Sequence, residues 1–256
     1  GDCNSRYEDG CETPLDSVMN CGRCGTSCGV SALCLAGACV SQRSCPTGPE
    51  LGCGLVSVAG GTYPFGTTSA SGSDGPITVS VSALLIDTHE VTVARFRRYW
   101  QAGHPVPTSA IRYPGGGSRT VTTVSEPTEA ITASGRTCTW SASPTGGESL
   151  PINCVNWETA MAFCAWDGGR LPTEAEYEFI AVGRSLAGTT VPRRYPWGDQ
   201  APMGESGARN CDRAQLYGCS GDDRSNVRRV GSFPSAGGIY DLSGNVAEWQ
   251  ADNGTN

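Results

Sequence analysis

The chain has 256 residues, a formal net charge of −7 and 17% charged side chains, long enough for one or two domains with a sizeable core. No Lys/Arg-rich run gives it an electrostatic footprint for nucleic acid or for an anionic membrane surface. Its longest uninterrupted apolar stretch, Ala160 to Trp166, is far short of the roughly 20 residues of a membrane span, and two histidines, His89 and His104, exclude a multi-histidine active site or metal centre.

Cysteines dominate the N-terminal end. Of 14, nine fall within the first 53 residues (Cys3, Cys11, Cys21, Cys24, Cys28, Cys34, Cys39, Cys45 and Cys53), and five follow at Cys138, Cys154, Cys164, Cys211 and Cys219. That density in an apolar-poor stretch reads as a disulfide scaffold, because so small a core cannot offset chain entropy without covalent staples. Zinc and redox readings of Cys21-x-x-Cys24 compete. Zinc needs four ligands, and a redox pair opens a helix that Gly22 and Gly25 discourage. Residues 1–45 are therefore expected to form a separate disulfide module, residues 46–256 a second domain, and Cys45 and Cys53 to pair locally. Oxidised cysteines imply an extracytoplasmic setting: secreted, periplasmic or cell-surface. The chain opens without Met or a signal peptide and reads as a fragment. The order DCN, DGCE, NCGxCGxxC, C, GxC over residues 2–39 resembles cysteine-rich modules of secreted myxobacterial proteins, which implies surface exposure or adhesion rather than chemistry.

From Leu51 the texture changes. Val56-Ser57-Val58 leading into 60–66 predicts a strand, a turn and a second strand, and Ile77, Val79 and Val81 alternate with polar residues as a half-buried strand does. Thr92 caps a helix carrying Val93, Phe96 and Trp100 on one face and closed by Gly103. Residues 104–149 form a long Gly/Ser/Thr/Pro-rich insertion with a possible strand at Thr120–Val124. Its Gly115-Gly116-Gly117 lacks the Lys-Ser/Thr of a phosphate loop. A second helix starts near Asn156, buries Trp157, Met161, Cys164 and Ala165, and stops at Gly168-Gly169. Thr173-x-x-Glu176 is a capping box that opens a third, with Tyr177, Ile180 and Ala181 as its stripe. The irregular, Gly/Pro/Asn/Asp-rich run to residue 240 calls for bound ions or disulfides to fix its loops.

Several blocks stand in order: 58–66 (VAGGTYPFG), 86–92 (IDTHEVT), 155–160 (VNWETA) with Cys164, 170–178 (RLPTEAEYE), 195–199 (YPWGD) and 237–249 (GGIYDLSGNVAEW). Together they resemble the formylglycine-generating enzyme family, also called sulfatase-modifying factor domains, over about residues 51–256. The resemblance implies an α+β, C-type-lectin-like fold with little regular structure and bound calcium. It also implies an oxidase that converts a cysteine in a sulfatase peptide to formylglycine with copper and molecular oxygen. The family's two copper-binding cysteines lie downstream of the block at 244–249, so they fall outside this chain, and no cysteine present takes their role. The partner of Cys164's counterpart lies there too, so Cys164 is expected unpaired, with Cys138–Cys154 and Cys211–Cys219 as the bridges.

Calcium ligands carry over. The resemblance places one site on Asn210, the carbonyl of Cys211, Asp222 and the carbonyl of Arg224, and a second on Asp241, the carbonyls of Gly244 and Val246, and Glu248. Calcium takes six to eight oxygens and accepts carbonyls from irregular loops, which suits both stretches. Cys211 and Cys219 depart from the family pattern around the first site. No GxSxG elbow or nucleophile triad occurs. Two functions remain: the scaffold of a formylglycine-generating oxidase, and a non-catalytic, calcium-stabilised recognition module. Copper is expected only in a complete protein that carries the cysteine pair.

Overall fold

The computed structural model describes residues 15–17, 19–28, 32–35, 37–45, 50–66, 77–129, 138–182, 193–201, 211–216, 219, 227–233 and 237–252. The cysteine-rich stretch holds β1 (Asp16–Ser17) paired with β2 (Asn20–Cys21), and β3 (Ala32–Leu35) paired with β4 (Ala38–Ser41), both antiparallel. Gly22 and Gly37 approach so closely that a Cβ on Gly22 would strike the Gly37 carbonyl, and both have positive φ. Disulfides Cys21–Cys34 and Cys28–Cys39 fasten the β2 loop to the β3–β4 hairpin.

Residues 42–45 reach from that end into the larger body. Gln42 bonds the Asp87 carboxylate and the Gly54 amide, while the Ser44 amide and hydroxyl both donate to Asp167. The Cys45–Cys53 disulfide closes the loop between them.

In the body, β5 (Leu55–Val58) and β6 (Gly61–Phe65) follow one another as expected, but they do not pair. β5 runs antiparallel to β8 (Leu84–Asp87), and β6 to β7 (Ile77–Val81). The apolar residues explain the choice. Val58, Tyr63 and Val81 turn the same way and bury against Phe179 and Ile180 of α3 (Glu174–Ala181) and against Ile239 and Leu242. The expected α3 stripe is corrected: Phe179 and Ile180 are its buried apolar residues, and Tyr177 and Ala181 are only half-buried.

A second core gathers around α1 (Val93–Gln101) and α2 (Trp157–Trp166), where Val93, Phe96 and Tyr99 meet Met161, Phe163 and Trp140. Each helix begins where a side-chain oxygen accepts an N-terminal backbone amide: Thr92 for α1, Asn156 for α2, and Thr173, with the reciprocal Glu176 bond, for α3. On α2 the deepest residues are Thr159, Met161, Ala162 and Phe163, whereas Trp157, Cys164 and Ala165 are half-buried.

The Thr120–Val124 strand is absent. In its place lies a two-residue ladder, β9 (Ile111–Arg112) with β10 (Ser118–Arg119). The amide and hydroxyl of Thr123 donate to the Glu158 carboxylate, and the Ser125 amide to the Thr159 hydroxyl. The Thr123 amide is thereby spent on Glu158 and is not free for a ladder.

Arg95, on the polar side of α1, is fully buried. Its guanidinium donates to Asp87 Oδ2 at 2.7 Å, Asp167 Oδ2 at 2.6 Å, the Gly52 carbonyl at 2.9 Å and the Ser44 hydroxyl at 2.8 Å. One cation thereby holds α1, β8, the end of α2 and the 42–53 segment. Among the described residues no helix is long and apolar enough to cross a membrane.

Candidate functional site

The site is built on the turn at 241–248, where sequence dictates an unusual backbone. Asp241, Gly244 and Asn245 all have positive φ (57°, 90° and 60°). At Gly244 a Cβ would collide with the Gln215 carbonyl, so only glycine fits. Asn245 is held in this conformation by its own amide: Nδ2 donates to Glu90 Oε2 at 2.6 Å and to the Arg228 carbonyl at 3.2 Å, and Oδ1 accepts the Arg228 amide at 2.8 Å. The Asn245 backbone N–H donates to the Gln215 carbonyl.

Asp241 is buried, and its carboxylate faces the 231–233 loop, accepting the Gly231 amide on Oδ2 and the Phe233 amide on Oδ1. Burial raises its carboxyl while those donors pull it down. Glu248, open to the adjoining cleft, accepts a 3.0 Å bond from the Tyr177 hydroxyl, which also donates to the Leu242 carbonyl. The protein packed around this exposed residue pushes its carboxyl up to about 7, against the Tyr177 bond and with help from Asp241.

Glu90 completes the group. It sits just before α1, is buried, and leaves Oε1 without a hydrogen-bond partner. Burial, then the charges of Glu248 and Asp241, push its carboxyl up to about 9. Asp241 raises the proton affinity of both Glu248 and Glu90, and Glu248 adds to that of Glu90, so three carboxyl groups, one with an orphaned buried oxygen, form a site short of positive charge. That donor set suits a hard cation, which takes oxygen ligands. The three do not all converge within 4.8 Å, so a cation here would draw on backbone oxygens too.

Of the residues expected at this site, the structure brings Asp241 and Glu248 within electrostatic reach and sets Gly244 and Val246 on the turn between them. Sequence reading missed Glu90, which lies between β8 and the Thr92 cap of α1 and whose partner Asn245 is distant in the chain. At the first expected site Asn210, Asp222 and Arg224 lie outside the described residues, and Cys211 is tied to Cys219.

Beside the turn opens a cleft of about 1740 Å³, lined by all of β8, by His89, Glu90, Tyr177, Glu248 and Trp249, and by Cys164. His89 stacks on Tyr240 at 4.7 Å and shares a 2.7 Å hydrogen bond with the Thr88 hydroxyl, and burial lowers its proton affinity. Cys164 is the free cysteine of this region, its thiol pushed up to about 12 by burial and by the charges of Asp87 and Asp167. A thiol so held is protonated and a poor nucleophile at neutral pH. The other six cysteines after residue 42 are joined as Cys45–Cys53, Cys138–Cys154 and Cys211–Cys219. Three further sulfurs, those of Cys21, Cys28 and Cys39, lie within 4.8 Å of one another but are consumed in disulfides.

Residues 42–255 match the model of the sulfatase-modifying factor enzyme 1-like domain. The chain is 30% identical over 230 residues to a formylglycine-generating enzyme of Thermomonospora curvata, covering 79% of this chain and 72% of that protein. To one of Streptomyces coelicolor it is 32% identical over 225 residues, covering 78% and 68%. It is also 38% identical over 109 residues, 40% of this chain and 33% of that protein, to an inactive Cα-formylglycine-generating enzyme 2 of Bos taurus.

Proposed function

The chain belongs to the sulfatase-modifying factor family, and from that membership we propose that it is the calcium-braced scaffold of a formylglycine-generating enzyme, acting toward a cysteine-bearing peptide of a sulfatase. The observation that carries the calcium half is Glu90 Oε1, buried without a partner beside Asp241 and Glu248. Glu90, Asp241 and Glu248, with the carbonyls of Gly244 and Val246, are the oxygens offered. A cation there would supply charge balance and fix the turn, not react. Short antiparallel ladders around three helices support the α+β, C-type-lectin-like reading, and the disulfides support an extracytoplasmic setting. A cation at the second group, on Asn210, Cys211, Asp222 and Arg224, belongs to the same proposal.

Copper is different. Copper(I) as the family holds it wants two soft thiolates, and the matched region offers one free thiol, Cys164, whose burial keeps it protonated. The donor set does not fit, and no oxidation step is assigned to these residues. The alternative is a non-catalytic, calcium-stabilised recognition module; a relative named inactive matches 40% of this chain.

Two measurements test the proposal. Titration calorimetry on the folded chain should show calcium uptake that Glu248→Ala lowers by one ion per chain; no uptake, or an unchanged stoichiometry and affinity in the variant, would overturn the cation site. Incubation with copper, oxygen and a sulfatase-type cysteine peptide should give no aldehyde; aldehyde formation would place the catalytic thiols in this chain after all.

A further inference from the structure

Two disulfides of the N-terminal stretch abut one another. Cys21–Cys34 and Cys28–Cys39 have Cα separations of 5.4 and 5.3 Å. The sulfurs of Cys21, Cys28 and Cys39 all lie within 4.8 Å of one another. The fourth cysteine, Cys34, is bonded to Cys21 and stands directly opposite Cys39 in the β3–β4 register. Opposed residues of an antiparallel pair have Cα atoms roughly 4.5–5.5 Å apart, which is inside the range a disulfide can span. Each cysteine therefore has its present partner and at least one other cysteine close by.

Exposure within the cluster is uneven. Cys21 and Cys28 are buried, at 3% and 7% exposure, while Cys39 is exposed. Thiol–disulfide exchange goes by attack of a thiolate on a sulfur it can reach, and access decides which sulfur is attacked. Here solvent reaches Cys39.

We propose that Cys39 is the entry point of a thiol-triggered exchange relay that re-pairs these four cysteines. An external monothiol, as thiolate, attacks the Cys39 sulfur, forming a mixed disulfide and releasing the Cys28 thiolate. Cys28 attacks its neighbour Cys21, making Cys21–Cys28 and releasing the Cys34 thiolate. Cys34 attacks Cys39 across the hairpin, making Cys34–Cys39 and expelling the external thiol unchanged. Each step breaks one S–S bond and forms one, so nothing is oxidised or reduced overall and the monothiol acts catalytically.

The two pairings differ in what they connect. In the present one the loop bearing Cys21 and Cys28 is bonded to both strands of β3–β4. After exchange the loop is closed on itself and the hairpin on itself, and the covalent tie these four cysteines make between them is gone. Cys24, which is also disulfide-bonded, takes no part. A small thiol thus lets the cluster equilibrate between the tied and the untied pairing without net reduction.

The test is disulfide mapping of the oxidised full chain by mass spectrometry, after incubation with substoichiometric glutathione and acid quenching. Cys21–Cys28 and Cys34–Cys39 peptides should appear beside the original pairs at a constant total of disulfides. Their rate of appearance should rise close to tenfold per pH unit below the thiol's pKa, as the thiolate fraction does. Cys39→Ser gives an independent arm: it leaves Cys28 free beside Cys21, so Cys21–Cys28 should form with no added thiol and Cys34 should become the labelled cysteine. Retention of Cys21–Cys34 and Cys28–Cys39 alone after prolonged thiol exposure would overturn the relay, as would a folded Cys39→Ser protein with Cys28 free and Cys21–Cys34 intact. If the variant does not fold, the wild-type map alone decides.

Discussion

Replacing Glu90 by Gln distinguishes a carboxylate that holds a cation from one that is merely buried. Without metal its carboxyl is pushed up to about 9, so at pH 7 only about one molecule in a hundred carries the charge. Gln matches the protonated acid in shape and can still accept the Asn245 amide, so the metal-free variant should lie within about 1 kcal/mol of wild type. Calcium should separate the two. At a free concentration 100 times Kd, a ligand that binds only the native state stabilises it by about 2.7 kcal/mol, roughly 5–10 °C in Tm for a chain of this size. The variant should keep little of that shift. Protons give a second readout. At pH 7 the ion must displace the Glu90 proton and about half of that on Glu248, whose carboxyl sits at about 7, so uptake should release about 1.5 protons per ion. Calorimetry in two buffers of different ionisation enthalpy measures this. Both carboxyls are raised, so the metal-free native state binds protons more tightly than the unfolded chain. Their contribution to stability is fully present below about pH 4.5 and is lost as pH rises toward 9. Calcium affinity should move the other way, strengthening over that range. Equal calcium-induced shifts in wild type and Glu90→Gln, without proton release, would refute the reasoning.

Arg95→Met should cost about 3–5 kcal/mol by denaturant melts, because Asp87 and Asp167 are left without their shared guanidinium; a loss under about 1 kcal/mol would mean the carboxylates find another counter-charge. Thr173→Ala should cost about 1 kcal/mol by removing the acceptor for the Glu176 amide, with Thr173→Ser restoring most of it; no difference between Ala and Ser would argue against the cap. Gly244→Ala should cost roughly 2 kcal/mol or more, since alanine is strained at positive φ and its methyl would strike the Gln215 carbonyl; retained stability and calcium binding would show that the turn tolerates rearrangement.

Legibility in the sequence followed how local each signal was. The caps at Thr92, Asn156 and Thr173 are settled within four residues by side-chain-to-backbone bonds, and all three stand where the sequence puts them. Val56-Ser57-Val58 and 60–66 read as strands, but the sequence does not say which strands pair. That depends on Val58, Tyr63 and Val81 burying against α3, far along the chain. Thr120–Val124 has a strand's composition but lies as a loop in which Glu158 takes the Thr123 amide and Thr159 that of the next residue, Ser125. Asp241 and Glu248 stand out in the sequence as candidates through the family motif around them. Glu90 does not, because its significance lies in an Asn245 contact 155 residues away. Arg95 occupied a nominally polar helix position, and nothing nearby announced that Asp87 and Asp167 would enclose it.

The nesting of β6–β7 inside β5–β8 bears on how the chain gets home. Only the short connectors Ala59-Gly60 and Ser82-Ala83 separate the inner ladder from the outer one. Once residues 61–65 meet 77–81, the ends of β5 and β8 are already side by side, and the outer ladder closes almost free of further loop entropy. The two ladders can therefore zip from the inside outward rather than each searching separately. Gly60 is the tooth on which that zip turns: a side chain there would meet the backbone of Val81, Ser82 and Ala83 at 2.6–2.8 Å. Any larger residue at 60 should therefore both weaken this half of the core and slow its assembly.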